Sequence, residues 1–256
     1  MMGYGSGVSK KQVLIAGISG AIGHALAVRL LEHDPGVSIV GLCRNPSAVT
    51  FSEEHAGRIL LIPWDAAESS STRTVVEKLK ALVPVEAGLD TVIYAAGILH
   101  GPGMKPEKRL EDLDARAFAH AFAVNATGFA MLVQAVSPWL RHRRFKRIVA
   151  VSAKVGSIGD NGFGGWYAYR SSKAALNMLV RNLSIELPRK YRPVACVAVH
   201  PGTTLSPLSR PFTRSLAKLN VHEPGETAGN ILKVAEGLTE DDNGAFLGWD
   251  GSAIPW

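Results

Sequence analysis

Residues 13–33 read VLIAGISGAIGHALAVRLLEH and join two different hydrophobic patterns through a glycine-rich turn. The apolar run before Gly17 is short and predicts a buried strand, whereas apolar residues at three- and four-residue spacing after Gly20 predict a helix. Gly17, Gly20 and Gly23 fall in the turn and at the helix start. This stretch therefore predicts the strand, turn and helix that open an α/β domain.

The same alternation continues along the chain. Six more apolar runs follow VLIAG, and they read SIVGLC, RILLIPW, DTVIYAAG, RIVAVSA, PVACVAVH and AFLGWDG. Helices are predicted over residues 72–83, 116–140 and 167–187. Strands that alternate with helices predict an α/β fold with a predominantly parallel, seven-stranded sheet covered on both faces. Because no linker divides the chain, residues 1–256 are expected to form a single domain, with residues 1–10 as a flexible N-terminal segment.

Composition narrows the class of protein. The 256 residues are 46% hydrophobic, which is ample for a buried core. Cys43 and Cys196 lie inside apolar runs, where a thiol behaves as a small hydrophobe, so a reducing cytoplasm is expected. The apolar run after the polar opening MMGYGSGVSKK is far shorter than the roughly 20 residues of a membrane span, which predicts a soluble protein with no membrane partner.

Charge suggests few macromolecular partners. The net charge is +6, and the dense basic run is RHRRFKR, residues 141–147. Acidic residues are spread through the rest of the chain, so nucleic-acid binding is the less favoured interpretation of this charge. An acidic protein that docks on residues 141–147 is a further alternative.

The glycine turn has a chemical interpretation. A glycine at a strand end permits a tight turn, and one at the helix entrance lets a pyrophosphate approach backbone N–H groups that the helix dipole also favours. The alternative is a turn that is glycine-rich for steric reasons alone. The candidate residues for holding a dinucleotide are Gly17, Ser19, Gly20, Ala21, Ile22 and Gly23.

The residue after the second predicted strand bears on the choice of dinucleotide. Folds that prefer the cofactor without a 2′-phosphate often carry an acid here, which binds the ribose hydroxyls. This sequence reads GLCRNPS and places Arg44 at that point. A guanidinium pairs with a 2′-phosphate and stacks on adenine, so Arg44 predicts a preference for NADP (NADPH), with NAD possible. A solvent-facing arginine is the alternative.

The stretch GGWYAYRSSKAALNML, residues 164–179, places Tyr169 four residues before Lys173. Side chains four apart share one face of a helix. A free tyrosine has a pKa of about 10, and a nearby ammonium group lowers it by favouring the phenolate. The pair is therefore a candidate for proton exchange near neutral pH, although this spacing also arises often by chance.

The order of motifs is more specific than any one motif. After the glycine turn come YAAG at the end of the fourth predicted strand, VNATG at Asn125, VSAKVG at Ser152, the Tyr169 and Lys173 pair, and HPGTT. This order resembles the short-chain dehydrogenase/reductase family. GGWYAYRSSKAALNM and the tail GAFLGWDGSAIPW resemble its C-factor-like and sniffer-like carbonyl reductase branch. The resemblance covers nearly the whole chain and implies a Rossmann-type doubly wound fold.

The resemblance also implies an activity, namely hydride transfer between a nicotinamide and a carbonyl or secondary-alcohol substrate. Tyr169 would be the general acid/base, and Lys173 would hold the nicotinamide ribose and lower the tyrosine's pKa. Asn125 would support a proton-relay water, and Ser152 would polarise the substrate carbonyl. Further implied cofactor contacts are Asp65 on the adenine amine, Ala95, Ala96 and Gly97 beside the cofactor, and Pro201, Gly202 and Thr203 over the nicotinamide. The helices at 116–140 and 167–187 resemble those through which this family pairs, which implies a homodimer or homotetramer.

Two departures from the family pattern concern the cofactor side. In the glycine turn, Ala16 and Ala21 stand where the family has threonine and its second glycine. In the fourth strand, YAAG replaces the family's NNAG and removes an amide that ties neighbouring strands together. Tyr94 or a water is expected to satisfy those backbone groups instead.

The third departure concerns catalysis. Where the family commonly has two serines, of which the second is catalytic, this chain has Ser152 and Ala153. Three alternatives stay open for the donor that polarises the carbonyl: Ser152, Ser157, or Tyr169 alone. Loss of one preorganised donor costs a factor of about 100 to 1,000 in rate, so slow catalysis is expected.

The segment between Ser152 and Tyr169 reads AKVGSIGDNGFGGW and is predicted to loop over the site. Phe163 and Trp166 are candidate apolar walls for a substrate, with core packing as the alternative. No metal is expected, since the histidines lack the HExxH pattern and no calcium-loop spacing occurs. The turn GISGAIG also fails the GxSxG pattern of a hydrolase. A second functional hypothesis is a dinucleotide-binding signalling or regulatory protein with weak turnover.

Overall fold

A computed structural model describes residues 11–212 and 220–256. The predicted flexible segment 1–10 lies outside the described residues. The chain contains nine strands in this part: β1 (Lys11–Ala16), β2 (Val37–Cys43), β3 (Ile59–Pro63), β4 (Thr91–Tyr94), β5 (Lys146–Val151), β6 (Val194–His200), β7 (Thr203–Thr204), β8 (Val221–His222) and β9 (Phe246–Gly248).

Eight α-helices connect or flank these strands in the same residues: α1 (Ala21–His33), α2 (Glu53–Ala56), α3 (Ser69–Leu82), α4 (Ala115–Phe122), α5 (Gly128–Val136), α6 (Tyr167–Glu186), α7 (Pro188–Tyr191) and α8 (Pro224–Gly237). The helix predicted over 116–140 is formed by α4, a π-helical segment at Ala123–Thr127, α5 and a 3₁₀ turn at Ser137–Leu140. The predicted helices over 72–83 and 167–187 are confirmed as α3 and α6.

Seven of the strands form one sheet in the order β3-β2-β1-β4-β5-β6-β9, and all six neighbouring pairs are parallel. Each predicted apolar run contains one of these strands, so the Rossmann-type doubly wound fold is confirmed. The small parallel pair β7 and β8 was not predicted. Two-residue strands are too short to show a periodic pattern.

Apolar side chains cover both faces of the sheet. In β1, Leu14 and Ala16 belong to the core shared with α3, α5 and α6, whereas Val13 and Ile15 belong to the core shared with α1 and α8. This division follows from the two-residue period of a strand, which sends successive side chains to opposite faces. Cys43 and Cys196 are buried free thiols within these cores, as their apolar contexts predict.

Among the described residues, the run Ala115–Leu140 is long and apolar enough to cross a membrane by length and composition alone. Its side chains Phe129, Leu132 and Val133 are buried against the sheet. This packing is that of a core helix in a folded domain.

The basic run 141–147 does not form one surface. The half-exposed Arg144 pairs with the buried Asp90 carboxylate, with 2.5 Å between Nε and Oδ1. Lys146 is fully buried and donates to the carbonyls of His142 and Arg144 at 2.6 and 2.7 Å. Arg147 donates to Ala235 O at 2.7 Å. These cations stabilise backbone carbonyls at the amino end of β5 and are not available as a group to an acidic partner.

Candidate active site

The glycine turn lies between β1 and α1 and leaves the start of α1 without a side-chain cap. Gly20 is the N-cap residue and provides no side-chain cap, and Gly17 has a left-handed backbone with φ of 85°. A Cβ added to Gly23 would lie 2.2 Å from the carbonyl oxygen of Gly17, so that helix position admits only glycine. The first N–H groups of a helix need an outside acceptor, and here the small side chains leave room for one.

The turn contacts the end of β4. A Cβ added to Gly17 would lie 2.7 Å from the backbone nitrogen of Ala96. Gly97, next in the chain, is exposed, and a Cβ added there would lie 3.4 Å from Asn125 Oδ1 and 3.5 Å from Lys173 Nζ. The structure therefore brings the predicted cofactor residues of the turn and of β4 next to two predicted catalytic residues.

Asn125 lies in the π-helical segment and is fully buried. Its Oδ1 accepts from Ile98 N–H at 2.8 Å, and its Nδ2 donates to Ile98 O and to Ser172 Oγ, each at 2.9 Å. Ser172 in turn donates to the carbonyl oxygen of Tyr169 at 2.8 Å. Asn125 thus joins the loop after β4 to the first turns of α6.

Tyr94 at the end of β4 also anchors the π-helical segment. Its side chain is fully buried, and its hydroxyl donates to Val124 O at 2.5 Å. Burial raises the pKa of this phenol far above its usual value, so it stays a donor at all ordinary pH. Tyr94 thereby ties β4 to the residue before Asn125. The carbonyl that it binds belongs to the π-helical segment and not to a neighbouring strand, so this bond differs from the one expected for YAAG in place of NNAG.

Tyr169 and Lys173 lie on the first two turns of α6 and are 8% and 3% exposed. Lys173 Nζ lies 5.9 Å from the centroid of the Tyr169 ring and donates to Val151 O at 2.9 Å. Burial raises the pKa of Tyr169 to about 12 and lowers the pKa of Lys173 to about 8. The two side chains are neighbours as predicted, but desolvation here opposes the expected lowering of the tyrosine's pKa.

Ser152 follows β5 and is 3% exposed, and its hydroxyl donates to Asn177 Oδ1 on α6 at 2.6 Å. The next residue, Ala153, has an extended backbone and is partly exposed. Successive side chains of an extended segment point to opposite sides, so Ala153 and Ser152 face different ways. Ser157 is buried, and its Oγ accepts from Asp160 N–H at 3.1 Å.

The other predicted cofactor residues follow further strands at the same carboxyl edge. Arg44 is exposed directly after β2, and Asp65 follows β3, where its Oδ1 accepts from Ala67 N–H at 2.9 Å. Pro201 and Gly202 connect β6 to β7, which begins at Thr203, and a Cβ added to Gly202 would lie 2.9 Å from the ring of His222. These residues share with Tyr169 the carboxyl edge of the parallel sheet.

Aromatic side chains flank Tyr169. The Trp166 ring centroid lies 6.2 Å from that of Tyr169 and 5.0 Å from that of Phe212. His100 adds a ring 6.0 Å from Phe212. Phe163 is 96% exposed, so the core-packing alternative is wrong for this residue, and its role as a wall for the substrate stays a prediction.

Four residues of the site were not identified from the sequence: Ser172, Asn177, Tyr94 as the anchor of Val124, and Glu107, whose Oε2 accepts from Ala168 N–H at 3.3 Å. Ser172 and Asn177 lie within residues 164–179, three and eight residues after Tyr169. A helical-wheel plot of this stretch would have indicated their position relative to Tyr169. Within residues 11–212 and 220–256, no three His, Cys, Asp or Glu side chains form a group that could hold a metal ion.

A doubly wound parallel sheet with a glycine turn after its first strand defines the Rossmann class of nucleotide-binding folds. Within that class, this chain belongs to the short-chain dehydrogenase family, whose family model, described as short chain dehydrogenase, matches residues 11–217.

Individual relatives agree with this family. C-signal of Myxococcus xanthus is 36% identical over 149 residues, which are 57% of this chain and 83% of that protein. A 1-hydroxy-2-glutathionyl-2-methyl-3-butene dehydrogenase of Rhodococcus sp. strain AD45 is 28% identical over 247 residues, covering 95% of this chain and 99% of that protein.

Solved structures agree in fold. The carbonyl reductase Sniffer of D. melanogaster matches with a TM-score of 0.80 at 23% identity, over 96% of this chain and 99% of that chain. An NADPH-bound carbonyl reductase from chicken fatty liver matches with a TM-score of 0.78 at 25% identity, over 96% of this chain and 94% of that chain.

Proposed function

We propose that this protein is an NADP-preferring oxidoreductase that transfers hydride between a nicotinamide and a carbonyl or secondary-alcohol carbon, with Tyr169 as the general acid/base. The observation that carries the proposal is the buried pair of Tyr169 and Lys173, which lies beside Gly97 and Asn125 at the carboxyl edge of the sheet. Ligands of open α/β sheets bind at this edge.

The residues present fit a dinucleotide. Side chains at Gly17 and Gly23 would clash with backbone, and the uncapped start of α1 leaves N–H groups for a pyrophosphate. Arg44 is exposed after β2, where a guanidinium suits a 2′-phosphate. The carbonyl reductase from chicken fatty liver is described as bound to NADPH. The bound cofactor would supply the hydride, and this chain would orient it.

The protein's own groups would manage the proton. Tyr169 Oη would give its proton to the developing alkoxide or take it from the alcohol, and Lys173 would stabilise the phenolate. The Asn125 side chain already makes hydrogen bonds to the Ile98 backbone and to the Ser172 hydroxyl. Support of a proton-relay water by Asn125 would therefore come from its main chain.

The donor to the substrate carbonyl is the weakest part of this site. The hydroxyl of Ser152 is engaged by Asn177, and Ala153 offers no donor. Ser157 accepts one hydrogen bond, which leaves its own proton free to donate. We retain Ser152, Ser157 and Tyr169 alone as the three candidates, and we expect turnover to be slow.

The first experiment identifies the reaction. Purified protein is assayed for oxidation of NADPH and NADH with a panel of aldehydes, ketones and quinones. We expect turnover with a preference for NADPH, and we expect Arg44→Ala to weaken NADPH binding while sparing NADH. An equal loss for both cofactors would contradict the role of Arg44, and the exposed Arg143 provides a control substitution to alanine.

A second candidate function is a dinucleotide-binding signalling or regulatory protein with weak turnover. Two observations favour it, namely Ala153 at the expected serine position and the similarity to the protein named C-signal. Tight NADPH binding without turnover on the whole panel would support this second function over the reductase.

We also propose a homodimer or homotetramer in a reducing cytoplasm. Met131 on α5 and Met178 and Ile185 on α6 are exposed apolar side chains on the helices through which this family pairs. Light scattering that gives a monomer mass would contradict the oligomer. Absence of nucleic-acid, membrane and metal partners stays a prediction.

A further inference from the structure

The helix that carries Tyr169 and Lys173 begins in an unusual way. Its N-cap is Trp166, which provides no side-chain cap and has a left-handed backbone with φ of 50° and ψ of 43°. Among the described residues, Trp166 is the one non-glycine residue with positive φ. A bulky residue in this conformation is strained and persists only where its surroundings hold it.

Glu107 binds the start of α6 at two points. Its backbone carbonyl accepts from Trp166 N–H at 2.5 Å, and its Oε2 accepts from Ala168 N–H at 3.3 Å. Glu107 belongs to the loop between β4 and α4 and is distant in sequence from α6. One residue therefore binds the N–H groups immediately before and after the first residue of the helix.

Burial of the Glu107 side chain is unfavourable in free energy. The residue is 3% exposed, and its Oε1 is buried without a hydrogen-bond partner in the described part of the chain. A buried carboxylate with an unused oxygen is unfavourable, and the positive end of the α6 dipole offsets only part of that cost. An exposed serine or aspartate would cap a helix start at a lower desolvation cost.

The start of α6 carries both Trp166 and Tyr169, whose side chains are in contact. The Trp166 indole packs against Tyr169, with 6.2 Å between ring centroids, and against Phe212. Tyr169 follows Ala168, whose N–H is bound by Glu107. A shift of the first turn of α6 would therefore move the tyrosine and the aromatic wall together.

We propose that Glu107 is a positioning residue for the reductase reaction. By binding the N–H groups on either side of the α6 start, it holds Trp166 in its strained conformation and fixes both Tyr169 and the aromatic wall beside it. This inference rests on the proposed function for its catalytic consequence, but not for its effect on the start of α6.

The test compares Glu107→Gln, Glu107→Asp and Glu107→Ala. Glutamine keeps an acceptor oxygen at the same reach, aspartate keeps the charge but is one methylene shorter, and alanine has no acceptor. Glu111→Ala is the matched control, because Glu111 is a carboxylate of the same loop whose side chain is 72% exposed. Each variant is measured for kcat and KM with the best carbonyl substrate, for NADPH affinity, and for amide hydrogen exchange over residues 164–172.

We expect kcat to fall about tenfold in the aspartate and alanine variants and less than about threefold in the glutamine variant, because only glutamine reaches Ala168 N–H. The KM of apolar substrates rises with the same ranking, and NADPH affinity stays unchanged. Amide exchange at residues 166–169 becomes faster in the aspartate and alanine variants and not in the control.

Wild-type kcat and wild-type exchange in Glu107→Asp would overturn the proposal, as would equal losses in the glutamine and aspartate variants. If the alanine variant fails to fold, the contrast between glutamine and aspartate still decides. If the wild-type protein reduces no carbonyl, the proposed function fails, and the exchange measurement alone then supports or overturns the role of Glu107 at the helix start.

Discussion

At the scale of single residues, the site combines a buried phenol with a buried amine. Tyr169 and Lys173 lost most of their hydration on folding, which raises the pKa of the first to about 12 and lowers that of the second to about 8. Neither charged form is favoured by burial alone. Burial of the pair is therefore unfavourable for stability, and perturbed pKa values of this kind are typical of active sites.

Lys173→Met should stabilise the protein while abolishing turnover. The amine titrates near 10.5 in the unfolded chain and near 8 in the folded protein, so the unfolded state binds more protons between these values. The free-energy cost of burying the charged Lys173 ammonium in the folded protein is full below pH 8 and disappears as pH rises to 10.5. We expect the variant to be more stable by about 2 kcal/mol at pH 7, after loss of the Nζ bond to Val151 O is included.

The measurement is the free energy of unfolding by urea for both proteins, without cofactor, at several pH values. The difference between variant and wild type should shrink as pH rises through that window. A difference that does not depend on pH would show that Lys173 is not held in an apolar environment.

Ala153→Ser should increase turnover. Ser152 is turned toward Asn177, and Ala153 is the partly exposed residue beside it. A hydroxyl at position 153 would restore the second serine of the family pattern, and we expect kcat to rise at least about tenfold, given the usual cost of a missing donor. Steady-state kinetics with NADPH and the best carbonyl substrate provide the measurement.

Ser152→Ala and Ser157→Ala serve as comparisons for that variant. A large loss of kcat in one of them, together with no gain in Ala153→Ser, would assign the donor role to the affected serine. Loss in neither would leave Tyr169 as the donor.

At the scale of elements, the turn before α1 is specified by neighbouring residues, whereas the start of α6 is held by a residue that is distant in sequence. The glycines of the turn form a local motif, and the sequence predicted their place after β1. The start of α6 depends on Glu107, which is 59 residues before Trp166 in the numbering and belongs to no motif. Long-range capping of this kind leaves no local pattern, so it could not be predicted from the sequence.

Gly23→Ala should disrupt the α1 turn. The added methyl group would lie 2.2 Å from the carbonyl oxygen of Gly17, and the overlap should destabilise the protein by about 1 to 3 kcal/mol. NADPH affinity should fall as well, because the same turn is the proposed pyrophosphate site. Thermal unfolding and cofactor titration provide the measurements.

Gly225→Ala is the matched control, because Gly225 lies in the first turn of α8 and a Cβ there meets nothing within 4 Å. Alanine is the better helix former by about 0.5 to 1 kcal/mol, so this variant should be slightly more stable. Equal behaviour of the two variants would contradict the steric argument for Gly23.

At the scale of the whole molecule, the parallel sheet explains how distant motifs form one site. Parallel strands end at the same edge, which brings the ends of β1 and β4 together at residues 17 and 97. Asn125 and Tyr169 lie in helical segments, and they were grouped with that edge through the resemblance to a known family. The pattern did not show which way each side chain points. Ser152 faces Asn177, and Lys173 donates to Val151 O, because of contacts between β5 and α6 that have no counterpart in a linear motif.

Charge is a second property that only the whole molecule explains. The run RHRRFKR suggested a basic surface, but Arg144, Lys146 and Arg147 bind backbone carbonyls or Asp90. Arg141, Arg143 and Lys190 remain around a cavity of about 430 Å³ on the surface. An acidic partner of this run, which stays a hypothesis, would meet Arg141 and Arg143 rather than all five basic side chains.

Arg144→Ala should therefore destabilise the protein by about 1 to 3 kcal/mol, because the largely buried Asp90 carboxylate loses its cationic partner and keeps only the Gln12 N–H donor. Arg143→Ala should change stability by less than about 0.5 kcal/mol, because its exposed side chain belongs to the surface. Urea unfolding of both variants is the measurement. Similar values for the two would contradict the structural role of Arg144.

The central claim is that Tyr169 transfers the proton in an NADPH-dependent carbonyl reduction. The most direct measurement compares wild type with Tyr169→Phe for turnover of the best carbonyl substrate and for NADPH affinity, since the variant loses only one hydroxyl group. The account predicts that turnover falls to background while NADPH binds with unchanged affinity. Turnover that persists in Tyr169→Phe would contradict it.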